Sequence, residues 1–305
     1  MDENRPVCYR HPKRETYLSC TRCGRHICVE CRNDAPVGFQ CPECVREGNR
    51  AVRQGRPVLG GESGLGAKGL VTMTLIGVNV AIFLYGMVAY GMGDILGGQL
   101  TPLHAAFSFY GDPNYIAAAP FGTTELWPSV SFGGYYRFLS SMFLHYGLVH
   151  LAFNMIVLWI IGRVLEKDLG PARFLAVYFL SGIAGGVLTY YFAPGSLTAG
   201  ASGAIFGLFG VMLLVNRKLS RDNTGLYVLL GLNLLITFVG SSNISWTGHI
   251  GGLVGGLACG AILTLGPQRK SPAMQWVGFV LLLAAMGVAT LLQTGMITSA
   301  AGVSA

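Results

Sequence analysis

Charge is what this 305-residue chain most lacks: Asp, Glu, Lys and Arg make up 11% of it, where soluble domains carry about 25%. Acid is the scarcer sign. Fourteen Asp and Glu stand against 21 Lys and Arg, and no acidic residue follows Asp222. The deficit excludes an ordinary soluble fold for most of the length. The missing carboxylates exclude any chemistry beyond Asp222 that needs one. Cysteine is almost absent from the long remainder of the chain, seven of the eight lying within the first 44 residues. The polar start, Met1 to Arg10, holds no apolar run, so no secretory signal is expected there.

What is present divides into two materials, a short polar cysteine-rich head and a long apolar body. The body contains seven apolar stretches, about 69–90, 140–162, 172–193, 201–216, 225–241, 246–265 and 275–293. Most approach the ~20 residues a helix needs to cross ~30 Å of hydrocarbon. The fourth and fifth are short, which is tolerable if they are buried among neighbours. Glycine and β-branched residues do not argue for strands here, because in lipid a helix satisfies its own backbone. The expected fold is an all-α polytopic membrane protein.

Loop charge predicts the topology. Arg163, Lys167 and Arg173 follow segment two, Arg217, Lys218 and Arg221 follow segment four, and Arg269 and Lys270 follow segment six. Residues 91–136, 194–199 and 242–245 contain no Lys or Arg. Twenty of the 21 basic residues thus fall on one side, with Arg137 the exception. The expectation is a cytoplasmic N-terminal head, an external C-terminus, and a multi-pass protein of the plasma membrane. The net charge of +7 is then a topology signal, and nucleic acid is not an expected partner.

The head reads Cys8-x2-His11, Cys20-x2-Cys23, Cys28-x2-Cys31 and Cys41-x2-Cys44. Four such pairs supply eight soft ligands, enough for two tetrahedral zinc ions. Only four residues separate Cys23 from Cys28, which disfavours sequential pairing. The expected alternative is a cross-brace, with Cys8, His11, Cys28 and Cys31 on one ion and Cys20, Cys23, Cys41 and Cys44 on the other. A disulfide cluster conflicts with the reducing compartment that the topology implies. His26 is read as a solvated residue rather than a substitute ligand. Zinc would be structural, supplying folding free energy to a head too small to fold on its own core. The pattern resembles B-box-type and related treble-clef zinc fingers, and that resemblance implies an interaction module with a cytoplasmic protein partner. The domains are read as 1–46 zinc-binding, 47–68 a basic glycine-containing linker able to touch anionic lipid, 69–267 a six-helix core, and 268–305 a seventh helix with its tail.

Polar side chains inside spanning segments are costly and are functional candidates by default. Segment two holds His145, His150 and Asn154, the last two on one face at i,i+4. Segment four opens on Gly200-Ala201-Ser202-Gly203 and continues to Phe206 and Gly207, and segment six opens on Trp246-Thr247-Gly248-His249. These three segments all run from outside to inside, so Ser202, His249, His150 and Asn154 fall within roughly 5–20 Å of the outer boundary. Gly203, Gly207 and Gly210 stripe one helix, and Gly252, Gly256 and Gly260 stripe another, which permits close backbone approach. Ser202 as nucleophile and His249 as base then make an acyl-transfer centre. With no acid available in these segments, it must be a dyad rather than a triad. Each residue alone has a plainer reading: Ser202 and Phe206 as packing, His249 and Asn154 as helix–helix hydrogen bonds, and His145 with His150 as a metal pair.

Arg137, His145-x4-His150-x3-Asn154, Gly200-x-Ser202-Gly203 with Gly207, and Gly248-His249-x2-Gly252 together resemble the rhomboid intramembrane serine proteases over about residues 69–267. The resemblance implies a six-helix protease core, here with a seventh C-terminal helix, and no catalytic cofactor. It implies that Ser202 and His249 are the catalytic dyad and that His150 and Asn154 line the oxyanion hole. Gly200 belongs to the nucleophile motif, and Phe206 would pack on the catalytic imidazole. Residues 91–138 are similar to that family's membrane-embedded external loop, with Tyr136-Arg137 where Trp-Arg or Glu-Arg is common. The implied substrates are transmembrane proteins cut near the outer face of the bilayer. Two other readings are a non-proteolytic rhomboid-like protein that binds transmembrane clients, and a transporter with a zinc-sensing head. The first would be favoured by loss of Ser or His, and the second by intramembrane acids.

Overall fold

The computed structural model describes residues 5–51, 68–97, 99–112, 116–117, 126–239, 244–265 and 271–302. It divides into two compact units, Met1–Arg56 and Pro57–Ala305. The linker reading for 52–67, and the Arg269–Lys270 part of the topology argument, lie outside the described residues.

The first unit has almost no conventional core. Its buried apolar cluster consists of six cysteines and Ile27, with Tyr9, Leu18 and Phe39 packed at the edge. Strands β1 (Asn33–Asp34) and β2 (Phe39–Gln40) pair antiparallel, Asn33 opposite Gln40. Helix α1 (Pro42–Ala51) starts within the last Cys-x2-Cys knuckle, carries Cys44 in its first turn, and runs on past residue 46, where the sequence reading ended the head.

The second unit is a helical bundle built from α2 (Leu70–Tyr90), α3 (Met92–Gly97), α4 (Pro102–Phe107), α5 (Arg137–Ser140), α6 (Gly147–Leu169), α7 (Pro171–Phe192), α8 (Ser202–Lys218), α9 (Thr224–Val239), α10 (Trp246–Thr264) and α11 (Pro272–Ala300). A two-stranded antiparallel ribbon, β3 (Ile116–Ala117) with β4 (Leu126–Trp127), lies between α4 and α5. Among the described residues, five helices, α2, α6, α7, α10 and α11, are long and apolar enough to cross a membrane. Large apolar side chains project outward from them, including Val88, Val149 and Leu281. Helices apolar all round belong in a bilayer or a deep core. The all-α membrane architecture expected from composition is the one observed.

Helices α7, α8 and α10 make the tightest contacts of the bundle. Glycine is the reason. A Cβ on Gly252 would overlap the Gly203 carbonyl, and one on Gly256 would overlap the backbone of Gly207. Lipid tails are as apolar as leucine, so membrane helices associate through close packing rather than through expulsion of water. Helix α8, at 17 residues, is short but buried along most of its length. Helix α9, at 16 residues, departs from the expectation that short segments are enclosed. It buries one stripe, Leu226, Leu230, Asn233 and Thr237, and exposes Tyr227, Val228, Leu232, Leu235, Phe238 and Val239.

Segment two differs most from its sequence boundaries. Residues 140–146 form the end of α5, a short 3-10 turn and an extended Leu144, and the long helix starts only at Gly147. Gly147 itself has φ of 85°, outside the helical region, so the chain cannot pass through it as continuous helix. At the other end α6 continues two turns beyond the apolar run, to Leu169. Glu166 in that extension is fully buried, and its carboxylate accepts Val71 N–H at 2.9 Å, Thr72 N–H at 2.8 Å and the Thr72 hydroxyl at 2.7 Å. It thereby closes the open N-terminus of α2, where unpaired amides and the helix dipole favour negative charge.

Arg137, the exception in the charge map, is fully buried. Its guanidinium donates to the carbonyls of Pro128 (2.7 Å), Ala105 (3.0 Å) and Ser108 (2.6 Å). This cation staples parts of the chain from α4 to α5 to one another rather than reporting a side of the membrane. The seventh helix is likewise sewn to α7: Tyr190 Oη meets Thr294 Oγ1 at 2.9 Å, and Gln293 Nε2 donates to the Tyr190 carbonyl at 3.2 Å.

Candidate active site

Ser202 is the first residue of α8, and His249 the fourth of α10. The Ser245 hydroxyl caps α10 by accepting from Gly248 N–H, the ordinary role of a serine at that position. Glycine contact between the two helices brings their starts together. Ser202 Oγ lies 2.8 Å from His249 Nε2. Phe206, one turn after Ser202, stacks on the His249 imidazole with ring centroids 4.3 Å apart and planes 13° from parallel. The far side of that imidazole is held too. His249 Nδ1 is 2.7 Å from the Thr237 hydroxyl of α9, and both residues are buried.

His150 is the fourth residue of α6, closer to the helix start than the sequence boundaries imply. Its Nδ1 accepts the Tyr146 N–H at 3.2 Å. In a neutral imidazole one nitrogen donates and the other accepts, so His150 carries its proton on Nε2. That edge faces Gly200, where a Cβ would come within 2.9 Å of both Cε1 and Nε2 of His150 and 3.6 Å of Ser202 Oγ. Gly200 has φ of 132°, and its N–H donates to the Ser141 carbonyl at 2.9 Å. The absent side chain leaves the space between nucleophile and donor open. Asn154 is one turn along α6 and donates through Nδ2 to the His150 carbonyl at 2.9 Å, leaving its second N–H uncommitted in that contact.

His145 stands edge-on to His150 with centroids 5.0 Å apart. Both of its ring nitrogens are buried. Among the described residues, no group of three metal-ligating side chains includes either histidine. The cavity beside Ser202 and His249 is walled by Met142, Gly182, Gly185 and Gly186 among others.

In the head, the ligand atoms of Cys8, His11, Cys28 and Cys31 lie within 4.8 Å of one another, as do those of Cys20, Cys23, Cys41 and Cys44. This is the alternating arrangement, not the sequential one. His11 Nδ1 is 3.3 Å from Cys28 Sγ and 3.4 Å from Cys31 Sγ, and Cys23 Sγ is 3.8 Å from Cys41 Sγ. A tetrahedron with Zn–S bonds of about 2.3 Å has S···S edges of about 3.8 Å, so the donor sets fit a tetrahedral ion. All the cysteines are free thiols. Burial pushes the Cys8 and Cys20 thiols up, yet the surrounding backbone amides outweigh it and hold both at about 6. Burial, reinforced by the neighbouring sulfurs, pushes Cys31 up to about 11 and Cys44 up to about 12. A bound cation would relieve that opposition. His26 lies outside both groups, paired by a backbone bridge to Ser19.

Two participants are missing from the sequence reading. The sequence presents Thr237 only as part of an apolar segment, and the Tyr146 amide that donates to His150 Nδ1 is invisible in side-chain patterns. Asn233 and Thr237, four residues apart in an otherwise apolar stretch, were the available signal for the first.

Comparison with known proteins agrees with the geometry. The Rhomboid domain matches residues 133–266, which includes the segments bearing Ser202, His249, His150 and Asn154. "Rhomboid protease GluP" of Bacillus subtilis (strain 168) is 39% identical over 57% of this chain, though the match spans only 34% of that relative's length. "Putative rhomboid protease YdcA" of the same organism is 37% identical over 46% of this chain and 73% of its own length. "RHOMBOID-like protein 6, mitochondrial" of Arabidopsis thaliana is 31% identical over 65% of this chain and 70% of its own. With such identity across more than two thirds of two relatives, and the matched domain covering the helices that meet at Ser202, the chain belongs to the rhomboid family of multi-pass membrane proteins.

Proposed function

We propose that the chain is an intramembrane serine endopeptidase that cuts transmembrane protein substrates near the outer face of the plasma membrane, using Ser202 and His249 as a dyad. The observation that carries the reading is the 2.8 Å contact between Ser202 Oγ and His249 Nε2 at the adjoining starts of α8 and α10.

The chemistry runs through few groups. His249 Nε2 takes the Ser202 proton as Oγ attacks the scissile carbonyl, and then returns it to the leaving amine. The negative charge that develops on the carbonyl oxygen meets the His150 Nε2–H and the remaining Asn154 N–H, with the α8 N-terminal amides beside them. Water then repeats the sequence on the acyl-enzyme, so the site needs an aqueous path from outside. A helical substrate shields its own peptide bonds. Substrates therefore unwind at the cut, which favours small and helix-breaking residues there. The head, in this reading, faces the cytoplasm, holds two structural zinc ions and engages a cytoplasmic protein partner.

Ser202→Ala and His249→Ala should each lower cleavage of a model transmembrane substrate by about a thousandfold or more. Cleavage retained in either variant overturns the dyad. Labelling of Ser202 by a fluorophosphonate is expected as well. Its absence together with tight substrate binding would mark a non-proteolytic binding protein instead.

A further inference from the structure

We infer that Thr237 of α9 is a positioning residue that fixes the His249 tautomer, taking the place a carboxylate holds in a triad. The inference rests on the protease reading of Ser202 and His249.

The argument is a proton count. Thr237 Oγ1 makes two short contacts, 2.7 Å to the Asn233 carbonyl and 2.7 Å to His249 Nδ1. A hydroxyl has one hydrogen, and a carbonyl oxygen only accepts. Both contacts are hydrogen bonds in only one arrangement: Thr237 donates to Asn233 O, and its oxygen accepts from a protonated Nδ1. The neutral imidazole then presents a bare Nε2 to Ser202 Oγ, 2.8 Å away. The opposite tautomer would put a hydrogen on Nε2 and leave the Asn233 contact without its donor. It would also remove the lone pair that accepts the Ser202 proton. Burial of both partners denies water as a substitute. When His249 becomes imidazolium, the same oxygen still accepts from Nδ1, so the charged state needs no rearrangement. Phe206 restrains the ring plane by stacking, and Thr237 restrains rotation within that plane.

The element that carries Thr237 makes this more than local packing. Helix α9 meets the bundle through one stripe, Leu226, Leu230, Asn233 and Thr237, with its remaining apolar faces exposed. Thr237 is the last member of that stripe, so the histidine proton is set by a helix that meets the bundle along one face.

The full chain in detergent or vesicles, with a model transmembrane substrate, provides the test. Thr237→Val keeps the shape and loses the acceptor, and Thr237→Ser restores it. The valine variant should lose kcat about tenfold to a hundredfold with KM unchanged, a part of what a positioned base contributes. Serine should return kcat to within about threefold. Nitrogen-15 spectra of histidine-labelled chain, assigned by comparison with His249→Gln, should show His249 protonated at Nδ1. Equal kcat for the valine variant and the parent, or a wild-type His249 protonated at Nε2, overturns the inference. Should the valine variant not fold, the wild-type spectrum decides alone. A spectrum with the Nδ1 proton in a chain that cleaves nothing would uphold Thr237 while defeating the protease reading.

Discussion

At the scale of single residues, the site depends as much on a side chain that is missing as on those present. Gly200 sits at a φ of 132°, and a Cβ there would come within 2.9 Å of the His150 ring. Gly200→Ala should therefore cost about 1–3 kcal/mol in backbone strain. It should also push His150 away from the proposed oxyanion position, lowering kcat at least about tenfold with a smaller change in KM. Melting curves and cleavage kinetics measured together check both. The residues the sequence announces are the chemically loud ones. Ser202, His249, His150 and Asn154 are polar groups inside apolar segments, where each is expensive and must be explained. Thr237 is quiet by comparison. A threonine can satisfy its hydroxyl on its own helix at i−4, as Thr264, Thr290 and Thr294 do here. Only coordinates reveal that the same oxygen also faces an imidazole.

At the scale of elements, helix identity was legible and helix boundaries were not. Hydropathy locates five of the seven spans within about two residues at each end, because a lipid-crossing helix is limited by the thickness it crosses. Helix α11 runs on to Ala300, seven residues past its expected end. Segment two slips by a turn or more at each end. Gly147 stops apolar sequence from being helix, and Glu166 lets polar sequence continue as helix because its carboxylate caps α2. The glycine stripes, in contrast, were legible in position and in purpose. They predict opposite outcomes for similar changes. Gly256→Ala places a methyl against the Gly207 backbone, which cannot move aside as a side chain would. A loss of about 1–3 kcal/mol or more follows from such overpacking, with the α8–α10 contact and hence the Ser202–His249 pair spread apart. Gly231→Ala on α9 meets nothing within 4 Å. It should be neutral or stabilise by about 0.4–1 kcal/mol, since it only trims the freedom of the unfolded chain. Thermal denaturation in detergent and fluorophosphonate labelling of Ser202 distinguish the two: the first variant loses both stability and labelling, and the second keeps both.

At the scale of the whole molecule, two units derive their stability from different sources. The body has a broad apolar core and glycine-mediated helix contacts. The head has its ligands for a core, with Ile27 the one buried apolar residue beside them among the described residues. On the two-zinc reading, removing zinc should therefore remove the head's fold and leave the body's. Chelation of the full chain should expose residues 5–51 to protease while helical circular dichroism falls only slightly. Ligand pairing is open to a sharper measurement. The alternating sets put Cys8 and Cys28 on one ion and Cys20 on the other. Metal analysis of the purified chain should give two zinc ions, and Cys8→Ser with Cys28→Ser should leave one. Cys8→Ser with Cys20→Ser should leave none once all variants are dialysed against a competing chelator, because each set then retains only three ligands and binds zinc more weakly. Sequential pairing reverses these two results, since Cys8 and Cys20 would share an ion and Cys28 would belong to the other. A stoichiometry of zero for the first double variant and one for the second would thus overturn the cross-brace while leaving zinc itself in place.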